Sequence, residues 1–427
     1  MNNKIVLVLV FFHFLAIGQH TFSALDTISS KEFEGKLINE FIEKNEFFNK
    51  NLDLLKSNQK KIIKEIYFEN QKDFLESIKN NNFICDKKTN IYLQDLLSDI
   101  LNKNNISTNI YKILLSKDSE INAYAIGDGT LVLNYGLFLA VENEDELVFV
   151  ICHEIAHQNL NHVKNEIENY AVQSTSEDII KKTNEIRKLK YNKATLANNL
   201  LKTIKYKNYN QRRTKEVEAD SLGLIFYKKT LRNPKYAITL LSKLDKANKE
   251  NDSISIEDYK LCFEKNDFKI NTKYFETEES LFRKYDYKNN FAIDSLKTHP
   301  DCNTRINLIK NKIEREENNF SKSLDFSAIK ENSINQNLLN LYARKNYAIC
   351  LYETLKLFKK DLNNDFFKNI IFLSLNKIYK SKSNYTISRY LPIFDSKNNT
   401  KSLNTFISFV NNIKMNDLEI IINQYKS

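Results

Sequence analysis

The run His153-Glu154-Ile155-Ala156-His157 places two histidines four residues apart with a glutamate beside the first, an HExxH pattern. On an α-helix these histidines lie one turn apart, about 5–6 Å between Cβ atoms, so both imidazoles can bind one cation while Glu154 stands beside it unligated. The chemistry this suits is metal-assisted hydrolysis, in which the carboxylate moves the protons of an attacking water. With 6 histidines in 427 residues, the pattern is a poor candidate for chance.

A third ligand is available downstream. In Glu216-Val217-Glu218-Ala219-Asp220-Ser221-Leu222-Gly223, Glu216 and Asp220 share one helical face. Catalytic zinc commonly takes three protein ligands and keeps a fourth position open, and a helical glutamate is one of the known third ligands. Asp220, one turn on, is suited to hold the other ring nitrogen of a ligating histidine. By itself the pair reads as a solvated face in a Lys/Glu-rich chain; beside HExxH the metal reading prevails. His162 competes for the third position, but the pattern that uses a third histidine sets it six residues after the second, with a glycine between. Here the interval is five and no glycine intervenes, so His162 is expected to point away from the His153/His157 face and to be structural. Cys152 adjoins His153, yet neighbouring helical residues face different ways, and a buried core thiol is expected.

The elements that must carry these residues follow from periodicity. Leu147, Val148, Ile151, Ile155 and Val163 recur mostly at three- and four-residue intervals, and no Gly or Pro interrupts Leu137 to Val163, which predicts a buried, central helix. Upstream, Ile110–Leu115, Ile121–Ile126 and Thr130–Asn134 read as short strands, the last two joined through Gly127-Asp128-Gly129. The strand Thr130, Leu131, Val132, Leu133, Asn134 is expected to offer an edge on which an extended peptide substrate adds, with recognition largely through the main chain. A helix is expected over Ile91–Leu101, and two or three more over residues 25–84 on the outside of the main domain. After His162 a polar stretch to about Asn210 reads as a helical hairpin, either a lid or a surface excursion, and residues 333–427 are helical again. Helix pairs near Leu338–Tyr352 have a tetratricopeptide character, although no second full copy follows at the interval of about 34 residues such repeats need. Pro392 ends one of these helices.

Composition allows a sizeable core, with 42% hydrophobic and 12% aromatic residues. The net charge of +10 comes from lysines scattered along the whole length with no basic stripe, which reads as a solvated surface, so no nucleic-acid partner is expected. Residues 1–24 read as a secretory signal peptide, with Lys4 before an apolar run from Ile5 to Gly18. That run, about 14 residues, is shorter than the ~20 a membrane span needs. The mature chain is therefore expected to be exported, periplasmic or secreted, and without a transmembrane span. Five widely spaced cysteines form no disulfide framework.

In order, Asn122-Ala123-Tyr124-Ala125, Gly129 to Asn134, Gly136-Leu137, the HExxH run with His162 five residues on, Glu216 to Gly223, and Thr298-His299-Pro300 with Arg305-Ile306 stand in the chain. Together they resemble the HtpX/Oma-type and CAAX-prenyl-protease-like zinc metallopeptidases, peptidase family M48, in a soluble exported form. The resemblance covers roughly residues 88–312. It implies a mostly α fold with a small β-sheet: a gluzincin-type core at 88–312, a helical segment at 25–87 before it and a helical domain at 313–427 after it. It also implies one Zn²⁺ per chain held by His153, His157 and Glu216, with Glu154 as general base, Asp220 orienting a ligand, and protein or peptide substrates. His299 would lie near the active site, as a catalytic group, a plug on the open zinc position or a structural histidine. The family's Ser-Arg before the glutamate ligand is Arg212-Arg213 here. The alternative reading is a latent or inactive relative that serves as a helical binding or chaperone module.

Overall fold

The computed structural model describes residues 22–25, 31–53, 59–247, 252–265, 268–276, 302–310, 312, 323–396 and 398–426. The expected signal sequence up to residue 21 and His299 lie outside these residues. The first described elements are a helical hairpin, α1 (Lys31–Asp53) and α2 (Lys60–Lys79), then α3 (Lys87–Lys103). Strands β1 (Lys112–Ser116), β2 (Ala123–Ala125) and β3 (Thr130–Asn134) follow, and the short α4 (Leu137–Ala140) leads to α5 (Glu144–Asn159), which carries HExxH. Next come α6 (His162–Ser174), α7 (Glu177–Lys188), α8 (Lys193–Lys229), α9 (Lys235–Ala247), α10 (Ile256–Phe263) and α11 (Cys302–Lys310). The remaining helices are α12 (Leu324–Glu331), α13 (Ser333–Ala343), α14 (Tyr347–Phe358), α15 (Asp365–Ser383), α16 (Lys401–Asn412) and α17 (Met415–Gln424). The fold is mostly α with one small sheet. Among the described residues no helix is long and apolar enough to cross a membrane.

The sheet has the order β1-β3-β2, with β1 parallel and β2 antiparallel to β3. This corrects the expected peptide-binding edge. Thr130 to Asn134 form the middle strand, paired on both sides and buried throughout, so no peptide can add there. The reason is the parallel pairing of β1, which closes the side of β3 left open by the local hairpin. Among the described residues the edge strands are β1, whose outer side receives Ile84 N–H at Leu115 O and a bridge from Phe83, and β2. Hydrogen bonds from Ile126 N–H to Thr130 O and from Asn134 N–H to Asn122 O set the alternation, so the main-chain groups of Ala123 and Ala125 turn away from β3.

Helix α5 is central, as its periodicity predicts. Leu147, Val148, Ile151 and Ile155 are fully buried against α3, the sheet, α8 and α9. Its start is fixed locally: the Asn143 side chain accepts from Glu146 N–H at the N-cap, and three acids, Glu144, Asp145 and Glu146, occupy the positive end of the helix. These acids are buried and each has a cation: Arg232 pairs with Glu144 at 2.7 Å and with Asp145, and Lys243 pairs with Glu146 at 2.7 Å. The stretch Leu137 to Val163 is interrupted, although it holds no Gly or Pro. The chain leaves helix at Val141 and again at Asn161, which adopts the left-handed conformation at φ 55° that asparagine tolerates best after glycine. Likewise, Glu216 and Asp220 do not begin a new helix but lie near the end of the 37-residue α8.

Two large cores result, and the boundary expected at residue 312 is crossed in both directions. Phe326 and Ile329 of α12 join the core around α5. Ile254, Tyr259, Phe263, Tyr274 and Phe275, read from sequence as part of the preceding domain, pack among α13 to α17. The opposite face of the sheet from α5 is covered by the first hairpin, where Leu37, Phe41 and Ile78 meet Leu114 and Val132.

Candidate metal centre

The centre is built where α8 crosses α5. On α8, Glu216, Asp220 and Gly223 follow at four- and three-residue spacing and so share a stripe. At Gly223 the helices nearly touch: a Cβ there would stand 3.0 Å from His153 Cα and 3.2 Å from its amide nitrogen. This contact lets a carboxylate on one helix reach the imidazoles on the other.

The three expected ligands converge. His153 Nε2 and His157 Nε2 are 3.0 Å apart, Glu216 Oε2 is 3.5 Å from His153 Nε2, and Glu216 Oε1 is 3.4 Å from His157 Nε2. Donors held by one tetrahedral ion at about 2.0–2.2 Å sit roughly 3.3–3.6 Å from one another, so two imidazoles and a carboxylate in this arrangement suit a divalent metal. Glu154, adjacent on α5, is buried at 7% exposure, and no hydrogen bond or ion pair to another described residue engages its carboxylate.

Both histidines are held from behind, by different means. Asp220 Oδ1 lies 3.0 Å from His153 Nδ1, and the same carboxylate takes two hydrogen bonds from buried Arg305, from Nε at 2.6 Å and Nη2 at 2.7 Å. Burial would raise the Asp220 carboxyl, but Arg305 and His153 outweigh it and hold it below the usual range. Burial would likewise depress His153, but the Asp220 and Glu216 carboxylates hold it up, at about 10.

His157 has another support, and it corrects the expected role of His162. The left-handed turn at Asn161 folds the chain back, so His162 Nδ1 lies 2.9 Å from His157 Nδ1 while His162 Nε2 lies 3.2 Å from Glu218 Oε2. Lys215 Nζ donates to the His162 carbonyl at 3.0 Å. When His157 ligates through Nε2, its Nδ1–H donates to His162 Nδ1, and His162 must then carry its proton on Nε2, facing Glu218. Burial, with His157 alongside, pushes the His162 imidazole down and keeps it in the neutral form this requires.

Sequence reasoning thus named His153, Glu154, His157, Glu216 and Asp220 in positions the fold brings together. It missed the support that His162 and Glu218 give to His157, and it cited Arg305 only within a motif. Their signal is three-dimensional: 85 residues separate Arg305 from Asp220. Cys152 is buried, as expected for a core thiol, and burial raises its thiol. Among the described residues Cys152, Cys262 and Cys350 are free thiols.

The model of peptidase family M48 matches residues 87–313, the stretch that contains both motif helices and Arg305. The chain belongs to peptidase family M48. Within it, 102 residues are 31% identical to a putative beta-barrel assembly-enhancing protease of Vibrio cholerae serotype O1, covering 24% of this chain and 21% of that protein. A further match, 36% identical over 69 residues, is to a beta-barrel assembly-enhancing protease of Yersinia pestis and covers 16% of this chain and 14% of that one. The matched stretches thus span about a fifth or less of these M48 relatives' length.

Proposed function

We propose that this chain is an exported zinc-dependent metalloendopeptidase that hydrolyses peptide bonds in unfolded or extended polypeptides as part of protein quality control. The observation that carries this is the convergence of His153, His157 and Glu216 donor atoms at 3.0–3.5 Å, with Glu154 beside them and engaged by no other described residue. Zinc, when bound, supplies Lewis acidity, polarising the scissile carbonyl and lowering the pKa of water toward about 7. Glu154 takes the proton of the attacking water and hands it to the leaving amine. Asp220, fixed by Arg305, and His162, fixed by Glu218, keep the two imidazoles aimed. The substrate lies extended along β2, whose outward main-chain groups at Ala123 and Ala125 can pair with it once the Asn122 side chain, which accepts from Ala123 N–H at 2.9 Å, gives way.

The test is zinc content and casein cleavage by the mature chain, run beside Glu154→Gln and His299→Ala. One zinc per chain and cleavage that Glu154→Gln abolishes is the expected result, and faster cleavage by His299→Ala would identify His299 as a plug. Absence of bound metal from all three proteins would overturn the proposal and leave the helical binding module.

A further inference from the structure

A cleft of about 430 Å³ lies on the face of the sheet away from α5, and the reaction described above makes no use of it. Its walls are two facing helical stripes of the N-terminal hairpin, with Phe41, Asn45 and Phe48 on α1 and Tyr67 and Phe74 on α2, and its floor runs from Tyr124 of β2 to Asp128. Two ring pairs bridge the helices, Phe41 with Phe74 and Phe48 with Tyr67, each with centroids 4.8 Å apart. Side-chain amides of Asn49 and Gln71 exchange hydrogen bonds of 3.1 and 3.2 Å between the helices. The hairpin is anchored on both flanks: Phe41 packs with Leu114 and Val132 of the sheet, and Tyr67 with Ile167 and Ala171 of α6. The cleft is therefore preformed.

Its place beside the β2 edge gives it a use. Successive side chains of a strand point to opposite faces, and on β2 Ala123 and Ala125 pack against the α5 core, Ala125 also touching the cleft, while Tyr124 between them lines the cleft. A polypeptide paired with β2 must alternate in the same way. Residues on one face point toward the metal-bearing helix, and those between them point toward the cleft. We infer that the cleft is a specificity pocket that takes one large apolar or aromatic side chain of an extended polypeptide substrate. The aromatic walls supply the apolar surface, and acidic Asp73 at the cleft disfavours a carboxylate there, while Asp128 is paired with Lys44 at 3.3 Å. The inference rests on the peptidase reading and on β2 as the substrate edge.

Casein fragments produced by the full mature chain, sequenced by mass spectrometry, should show one position near the cut bond enriched in Phe, Tyr or Leu. A synthetic peptide of the best site should be cleaved with a kcat/KM about ten-fold or more above the same peptide with Ala at that position. Asn45→Trp narrows the cleft from a half-buried position and should bring this ratio close to one. A second readout needs no turnover. The same peptide with benzoylphenylalanine at that position, or at each position in turn if nothing is cleaved, is photo-crosslinked to Glu154→Gln. Adducts should fall within residues 41–48 or 67–74. Cleavage without any apolar preference, a ratio untouched by Asn45→Trp, or adducts only elsewhere would overturn the pocket while leaving the peptidase reading standing. Absence of cleavage with adducts on the hairpin would do the reverse.

Discussion

The two large cores of this molecule are built from different materials. Around α5, charged or ionisable residues are buried among the apolar ones: Glu144, Asp145, Glu146, His153, Glu154, His162, Asp220 and Arg305. In the C-terminal core, among the described residues, every buried polar side chain is uncharged, and aromatic packing dominates. Phe409 there stacks against Phe263 at 5.8 Å and Phe275 at 5.3 Å. Buried charge is expensive unless paired, so a chain that concentrates it in one place gives up stability there for chemistry. Among the described residues of the α5 core most of that charge has a partner, and Glu154 is the exception. The C-terminal core has no such exception and reads as a stabilising body.

The sharpest test of this contrast is Glu154→Gln. Peptide cleavage should fall by about 10³-fold, while zinc content and the urea unfolding midpoint stay at wild-type values, because the carboxylate supports catalysis and no packing. A large loss of stability would mean that Glu154 belongs to the structure after all. In the other core, Phe409→Ala should cost about 3–5 kcal/mol of unfolding free energy. In conditions where the variant is still folded it should keep one zinc per chain, and loss of zinc there would show that the two cores are not separable.

Arg232→Ala strikes the structural charges of the α5 core. It leaves the buried Glu144 and Asp145 carboxylates without their cation and should cost about 3 kcal/mol, read from urea unfolding at pH 7. Its pH dependence has a definite sign. Burial would raise Glu144, but hydrogen bonds from Ser323, Arg232 and Tyr92 hold it below its ordinary 4.5. A carboxylate depressed by folding stabilises above its unfolded pKa, and that contribution disappears as pH falls through the folded one. The wild-type chain should therefore lose stability below about pH 4.5, and Arg232→Ala should show a shallower acid slope. The smallest effect is expected at His162→Ala, where zinc affinity in a chelator competition should weaken about 10- to 100-fold without loss of fold. Unchanged affinity would mean that His157 needs no second histidine to hold it.

The chemistry of this chain was legible because it is written at helical spacing. His153 and His157 share a face for the same reason that Glu216 and Asp220 do, and strands, hairpin turn and the central helix also follow from local period. What the tertiary structure alone decided lies at long range or turns on a single dihedral. β1 pairs in parallel with β3 and puts Thr130–Asn134 in the middle of the sheet, which no pattern within that strand could announce. Asn161 takes φ 55° and swings His162 onto His157, where a continuous helix would have carried it away. Arg305 reaches Asp220 across 85 residues, and Ile254 to Phe275 leave the core that precedes them to complete the other. Local sequence fixes which residues share a face of one element, because helix and strand impose their own period. Which faces then meet depends on packing the whole chain, since an apolar stripe satisfies any partner of matching shape.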